Sequence, residues 1–255
     1  MKKVTIDTSK CIGCGKCVKD CVAYALCLVN GKASVRDGCI ECGHCYAICP
    51  VEAIDMPGYD KAGCTGITSM SEINSDTLLK AIKSRRTIRQ FKDIPVEQEK
   101  TDKILEAGRY APTGANSQNV AFTILSDKKD ELERDCIKLF RAGVKVGSKF
   151  SKVLENADIN DTFFFKGAPL VIVVSGHDSV NASLASAYME IMANSLGLGV
   201  LYSGFFCGCA SLNPKIKAKL HLPRGHKAVT CMIIGYPDVE YMRIPPRKPL
   251  KLNII

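Results

Sequence analysis

The sequence predicts an α+β protein in two parts: a small cysteine-rich unit made of a duplicated half, then a larger domain of mixed helices and strands. Three observations predict this. Eight of the fourteen cysteines sit between Cys11 and Cys49 at tight spacing, while Cys27, Cys64, Cys136, Cys207, Cys209 and Cys231 are scattered. The set Cys11, Cys14, Cys17, Cys21 recurs as Cys39, Cys42, Cys45, Cys49 at a constant offset of 28, and Ile12/Ile40, Gly15/Gly43 and Ala25/Ala53 recur with it. Beyond residue 74 the cysteine pattern gives way to the apolar periodicities of helices and buried strands.

The expected division is a duplicated unit over 1–58, a connector over 59–74 rich in Gly, Ser and Thr, and an α+β domain over 75–255. Val4–Ile6, Leu28–Val29 and Ala33–Val35 are strand candidates in the first part. In the second, Ser75 can cap a helix through Leu78, Leu79 and Ile82, and another follows Pro95 and stops before Pro112. Val120–Leu125 reads as a strand, Lys128–Arg141 as an amphipathic helix and Pro169–Val174 as a buried strand. Asn181–Leu196 is an Ala-rich apolar helix ending at Gly197. Val200–Tyr202 and Val229–Ile234 are further strands, with a helix from Pro214 to Leu220 between them.

Composition excludes several classes. No apolar run approaches the roughly 20 residues that span a bilayer, so no membrane partner is expected. Two lysines at the start are followed by no apolar region, so a cytoplasmic location is expected. Apolar residues make up 46% of the chain, unlike a disulfide scaffold short of core. The formal charge of +9 treats cysteine as neutral. Eight thiolates holding two oxidised clusters lower it to about +5. With no recognition motif, no nucleic-acid partner is expected.

A cubane iron–sulfur cluster needs four thiolates around tetrahedrally disposed irons. Three at two-residue gaps come from one tight loop, and the fourth is the last cysteine of the opposite set. The expected metal ligands are therefore Cys11, Cys14, Cys17 and Cys49 for one 4Fe–4S cluster, and Cys39, Cys42, Cys45 and Cys21 for the other. Gly13, Gly15 and Gly43 permit the close turns, and nearby amides can donate to cluster sulfur. Zinc sites use paired cysteines across a longer gap, without a third at the next step. His44 reads as a lone surface histidine. This segment resembles the bacterial two-cluster ferredoxins over nearly all of residues 1–58. Val22 stands where that family usually has proline, whereas Pro50 is present.

Ser84-Arg85-Arg86-Thr87-Ile88-Arg89 packs three arginines and hydroxyls into a short span that could clamp a phosphate, or equally form a solvated charge run. Ala111–Asn119, Leu196-Gly197-Leu198-Gly199-Val200, Tyr202-Ser203-Gly204 and Pro245-Pro246-Arg247-Lys248-Pro249 follow in order. The ordered set, over roughly 75–255, resembles the nitroreductase family of FMN enzymes.

The resemblance implies a nitroreductase-like α+β fold with FMN. Arg85 and Thr87, with Arg86 adjacent, match phosphate-binding positions, and Arg89 matches the basic residue near the flavin pyrimidine edge. Asn116 matches an amide bonded to the ring. Ser203 and Gly204 match the segment whose amides meet N5 and O4, and Arg247 and Lys248 match a late basic pair at the phosphate. A homodimer is implied too. Asn119-Val120 stands where many relatives have proline and tryptophan, which touches substrate choice rather than flavin binding.

No acid–base or nucleophilic constellation is visible: His177, His221 and His226 stand apart in sequence, which suits chemistry carried by a cofactor. Cys207 and Cys209 read as core thiols. Substrate-facing variation is expected over 141–166. The reading is an iron–sulfur flavoprotein that takes electrons from a ferredoxin or another redox donor and passes them through the clusters to FMN and a small-molecule acceptor such as a nitro compound or quinone. A non-catalytic electron carrier or redox sensor is the alternative. Substrate, donor, direction of flow and any use of NAD(P)H are not written in these residues.

Overall fold

The computed structural model describes residues 3–64, 66–67, 73–147 and 158–255, with side chains left aside over 144–147. The chain forms two compact units: residues 1–72 with 113–117, and residues 73–112 with 118–255.

In the first unit, β1 (Thr5–Ile6) pairs antiparallel with β4 (Ile54–Asp55), and β2 (Leu26–Val29) pairs with β3 (Lys32–Val35). The hairpin turns through Asn30-Gly31, both at positive φ, the backbone a type I′ turn requires. Two short helices, α1 (Lys16–Lys19) and α2 (His44–Ile48), each start after a left-handed glycine, Gly15 and Gly43. These are the repeat-related positions, so the duplication in sequence is a duplication of turn and helix. The core is small: Val4, Cys11, Cys17, Leu26, Ala33, Ala53, Ile54 and Met56. Two of those eight are cysteines, so a quarter of a small core is cysteine.

The second unit is a three-layer sandwich. Its antiparallel sheet has the order β5 (Val120–Ile124), β6 (Leu170–Gly176), β8 (Lys227–Gly235), β7 (Gly199–Tyr202). Every residue of β6 is buried, as a central strand covered on both faces must be. Strand alternation sorts the side chains between two cores. Leu170, Ile172, Val174, Met232 and Ile234 face α4 (Gln98–Arg109) and α6 (Ser179–Ser195). Val171, Val173, Cys231 and Ile233 face α5 (Lys129–Gly147), α7 (Gly204–Leu212) and α8 (Pro214–Lys219). α4 and α6 approach closely because Gly108 lies against Met189, where an added Cβ would stand 2.8 Å from the sulfur. The opening helix of the unit is α3 (Ser75–Ser84), and Asn74 rather than Ser75 caps it, accepting from the Thr77 amide. No helix among the described residues is long and apolar enough to cross a membrane.

The sequence reading has no helix over 204–212. The segment lacks a capping side chain and a polar face, and Gly208 interrupts it. Residues 148–157 of the expected variable segment lie outside the described residues. At its far end, Glu133 on α5 is buried and accepts from the amides of Phe164 (3.0 Å) and Phe165 (2.8 Å). Burial raises its pKa, and the two amides oppose the rise. A raised folded-state value means a contribution to stability present below the unfolded carboxyl pKa and lost as pH climbs through the folded one. The stability of Glu133→Gln relative to wild type, by urea denaturation, is therefore expected to rise between pH 5 and 8. Glu133→Ala leaves two amides without an acceptor and is expected to cost about 2–4 kcal/mol at pH 5 and less at pH 8.

Candidate functional site

The first unit contains two hollows. One is lined by Cys39, Cys42 and Cys45 together with Cys21. The other is lined by Cys11, Cys14 and Cys17 together with Cys49. All fourteen cysteines are free. Each hollow thus draws three sulfurs from one loop and the fourth from the end of the opposite set. The exchange follows from the fold: α1 and α2 pack together, so Cys21, two residues past α1, and Cys49, the residue after α2, are each delivered to the neighbouring loop.

Backbone amides already point at several sulfurs: Ala33 to Cys11 (3.4 Å), Glu41 to Cys39 (3.4 Å) and Ala53 to Cys49 (3.3 Å). The Ala33 amide holds the Cys11 thiol below its ordinary pKa, while burial pushes Cys45 up to about 11. The donor set suits a metal-sulfur group, because four thiolates need a positive core to offset their burial. Lys3 pairs with Glu41 (2.8 Å) and donates to the Cys39 carbonyl (3.1 Å), and Lys32 donates to the Cys11 carbonyl. His44 is exposed at the edge of the Cys39/Cys42/Cys45 hollow, with its Nδ1 3.3 Å from the Cys42 carbonyl oxygen. The 113–117 strip of the same unit carries Asn116, whose Nδ2 donates to the carbonyls of Glu41 (2.9 Å) and Ile40 (3.3 Å).

In the second unit, the Arg85–Arg89 segment runs beside the sheet edge. Thr87 bridges Val200 of β7 in parallel, and the Ile88 amide donates to the Val200 carbonyl (3.1 Å). Gly199 makes this approach possible. A Cβ there would stand 2.7 Å from the Ile88 Cβ and nearer still to its Cγ1. The structure thus gives the Gly-Leu-Gly stretch a packing reason. Arg85 ends α3 and pairs with Glu190 at 2.7 Å, both side chains partly buried. Tyr202 continues the network, donating to the Ser186 carbonyl (3.0 Å) and reaching Glu190 (3.3 Å). Burial raises its pKa first, and Glu190 adds to the rise. Sequence reasoning missed Glu190; the available signal is that it is the one charged residue of α6.

Ser203 is buried, and its amide donates to the Cys231 carbonyl (2.8 Å), so that donor is spent within the fold. Gly204 begins α7, and first-turn amides have no acceptor within their helix. Arg86 is partly buried, while Arg89, Arg247 and Lys248 are exposed. Cys207 and Cys209 are buried in one core with Cys136 and Cys231, and burial pushes the Cys207 thiol up to about 12. The histidines are less isolated than the sequence suggests. His177 and His226 stack edge to face with centroids 4.7 Å apart, and His226 Nδ1 lies 3.2 Å from Ser175 Oγ, because the end of β6 pairs with the start of β8.

Comparison with known proteins agrees with both parts. The nitroreductase family model matches residues 82–236, more than half of the chain. The chain belongs to the nitroreductase family. Ahead of that match, residues 3–67 match the 4Fe–4S dicluster domain model. Among curated relatives, an FMN reductase [NAD(P)H] of Bacillus subtilis is 30% identical over 173 residues, 63% of this chain and 66% of that protein. A ferredoxin of Pyrobaculum islandicum is 44% identical over 55 residues, 21% of this chain and 51% of that protein. The chain therefore spans just under two thirds of that FMN reductase, and 64% of a putative NAD(P)H nitroreductase of Methanothermobacter thermautotrophicus. A crystal structure of a nitroreductase with bound FMN from Bacteroides fragilis aligns with TM-score 0.57 at 23% identity, covering 72% of this chain and all of that one. At that identity the likeness speaks for the fold, and this chain shares the nitroreductase α+β architecture.

Proposed function

We propose that this member of the nitroreductase family is an iron–sulfur flavoprotein that passes electrons from two 4Fe–4S clusters to FMN and on to a small organic acceptor, a nitro compound or a quinone. The observation that carries the proposal is the lining of the two hollows, each with three sulfurs of one loop and one of the other. When bound, the clusters supply one-electron transfer and FMN supplies the exchange between one- and two-electron chemistry.

The residues of the chain do the holding. Cys11, Cys14, Cys17 and Cys49 hold one cluster, and Cys39, Cys42, Cys45 and Cys21 hold the other. Arg85, Arg86 and Thr87, fixed against β7, hold the FMN phosphate, with Arg247 and Lys248 supplied by the tail. Glu190 keeps the Arg85 fork in one orientation while leaving donors for a phosphate. Arg89 serves the pyrimidine edge, and the Gly204 amide at the start of α7 serves the ring. Ser203 offers its hydroxyl, while Asn116, which the resemblance gives to the ring, has its Nδ2 donors on the Ile40 and Glu41 carbonyls.

Leu184, Tyr188 and Ile191 of α6 and Met242, Leu250 and Leu252 of the tail are exposed apolar side chains. A second copy of the chain would cover them, which supports a homodimer. The test is iron and flavin quantification on anaerobically purified protein, followed by anaerobic turnover with a nitroaromatic and a quinone. About eight irons and one FMN per chain, with turnover, are expected. Both cofactors without turnover would convert the reading to a carrier or redox sensor, and iron without flavin would overturn it.

A further inference from the structure

We propose that the Cys11–Cys17 loop is the electron entry port, and that its basic rim docks a small acidic one-electron carrier protein. This rests on the cluster reading above. The two repeats of the first unit share geometry but not charge. Residues 3–36 hold six basic side chains (Lys3, Lys10, Lys16, Lys19, Lys32, Arg36) and two acidic ones (Asp7, Asp20). Residues 37–64 reverse this, with five acidic side chains and Lys61.

The basic excess gathers on one loop. Lys10 precedes Cys11, Lys16 lines its hollow, and Lys19 lies one turn further along α1 on the same face. Lys10, Lys16 and Lys19 are exposed and form no ion pair among the described residues. Asp7 turns its carboxylate to Ser9 and the Lys10 amide, and no acidic side chain lines the hollow.

Access coincides with this charge. Of the eight ligand cysteines only Cys14 is exposed. Ile12, between Cys11 and Gly13, lines the same hollow and is 63% exposed. An accessible sulfur beside an uncovered apolar side chain, ringed by unpaired lysines, is the arrangement of a transient redox interface: apolar contact at the centre and charge at the rim to steer encounter. In the docked complex the carrier loses one electron and the Cys11/Cys14/Cys17/Cys49 cluster gains it, with no bond or proton exchanged.

The test uses the full cofactor-loaded chain and a strongly acidic bacterial ferredoxin as probe. Two quantities are read: the calorimetric Kd of the oxidised partners, and the rate of cluster reduction by reduced ferredoxin. Photoreduced deazaflavin serves as a reductant that needs no docking. For wild type, binding and rate are expected to weaken steeply as salt shortens the Debye length. In Lys10→Glu/Lys19→Glu both are expected to fall about ten-fold or more at low salt and to lose most of their salt dependence, with iron content and deazaflavin reduction retained. Lys10→Gln/Lys19→Gln gives the same change in smaller measure and keeps the test open if the reversal impairs folding. Ferredoxin binding indifferent to salt and to both variants, with deazaflavin reduction intact, overturns the port and leaves the cluster reading standing. Affinity for anionic vesicles or duplex DNA without affinity for ferredoxin also overturns it. Protein that holds no iron and is reduced by neither donor sinks both.

Discussion

Cys49→Ser is expected to remove the cluster from the Cys11/Cys14/Cys17 hollow, not from the loop that lies before it in sequence. Iron should fall from about eight to about four per chain. The lining of the hollow dictates this outcome, because Cys49 stands with the first set across the helix pair, and the Ala53 amide already points at its sulfur. The reciprocal variant, Cys21→Ser, is expected to empty the Cys39/Cys42/Cys45 hollow. Cys49→Ser should also destabilise the first unit. Its core has eight buried apolar side chains, Cys11 and Cys17 among them, and removing the group that draws those thiols together uncovers a large share of that core. The check is iron analysis with spectroscopy of the surviving cluster, together with proteolysis of the first unit. If Cys49→Ser spares Cys11/Cys14/Cys17 and empties the other hollow, the crossed assignment is wrong.

Gly199→Ala is expected to abolish FMN retention while the sheet still forms. An added methyl group would overlap Ile88, whose amide is bonded to the Val200 carbonyl beside Thr87. Ile88 is buried and cannot swing into solvent, so the Arg85–Arg89 segment must move as a whole. Overpacking of this kind costs about 1–3 kcal/mol. The larger loss is expected in binding, because the displaced segment carries Arg85 and Thr87, the proposed phosphate clamp, and such a clamp tolerates little displacement. An expected FMN loss of about 100-fold or more is read by flavin fluorescence titration. A variant that retains FMN like wild type would remove this segment from the binding site.

The make-up of the cysteine hollows was legible in the sequence because it is local: each loop supplies three of the lining cysteines by spacing alone, and the crossing of the fourth follows from the motif. The sheet was legible for the same reason, since β6 and β8 are continuous apolar runs. Three features were not. Helix α7 hides in a stretch with no cap and no polar face. The bond between Arg85 and Glu190 joins residues 105 positions apart, and neither neighbourhood names the other. Asn116 was legible as an amide in a recurring stretch, but not its bonds to the Ile40 and Glu41 carbonyls, which depend on where the chain returns.

That return has a genetic consequence. The first unit is not a bead that ends at its connector. Residues 113–117, encoded some forty codons later, form part of its wall. A gene segment cut at the connector would yield a ferredoxin-like fragment missing that strip, with the Ile40 and Glu41 carbonyls stripped of their Asn116 donors beside the Cys39 loop. Exchange of this unit for a homologous one by recombination at the connector would likewise mismatch the strip. The two parts are thus bound to change together, and a chimera should need the 113–117 stretch transplanted along with residues 1–72.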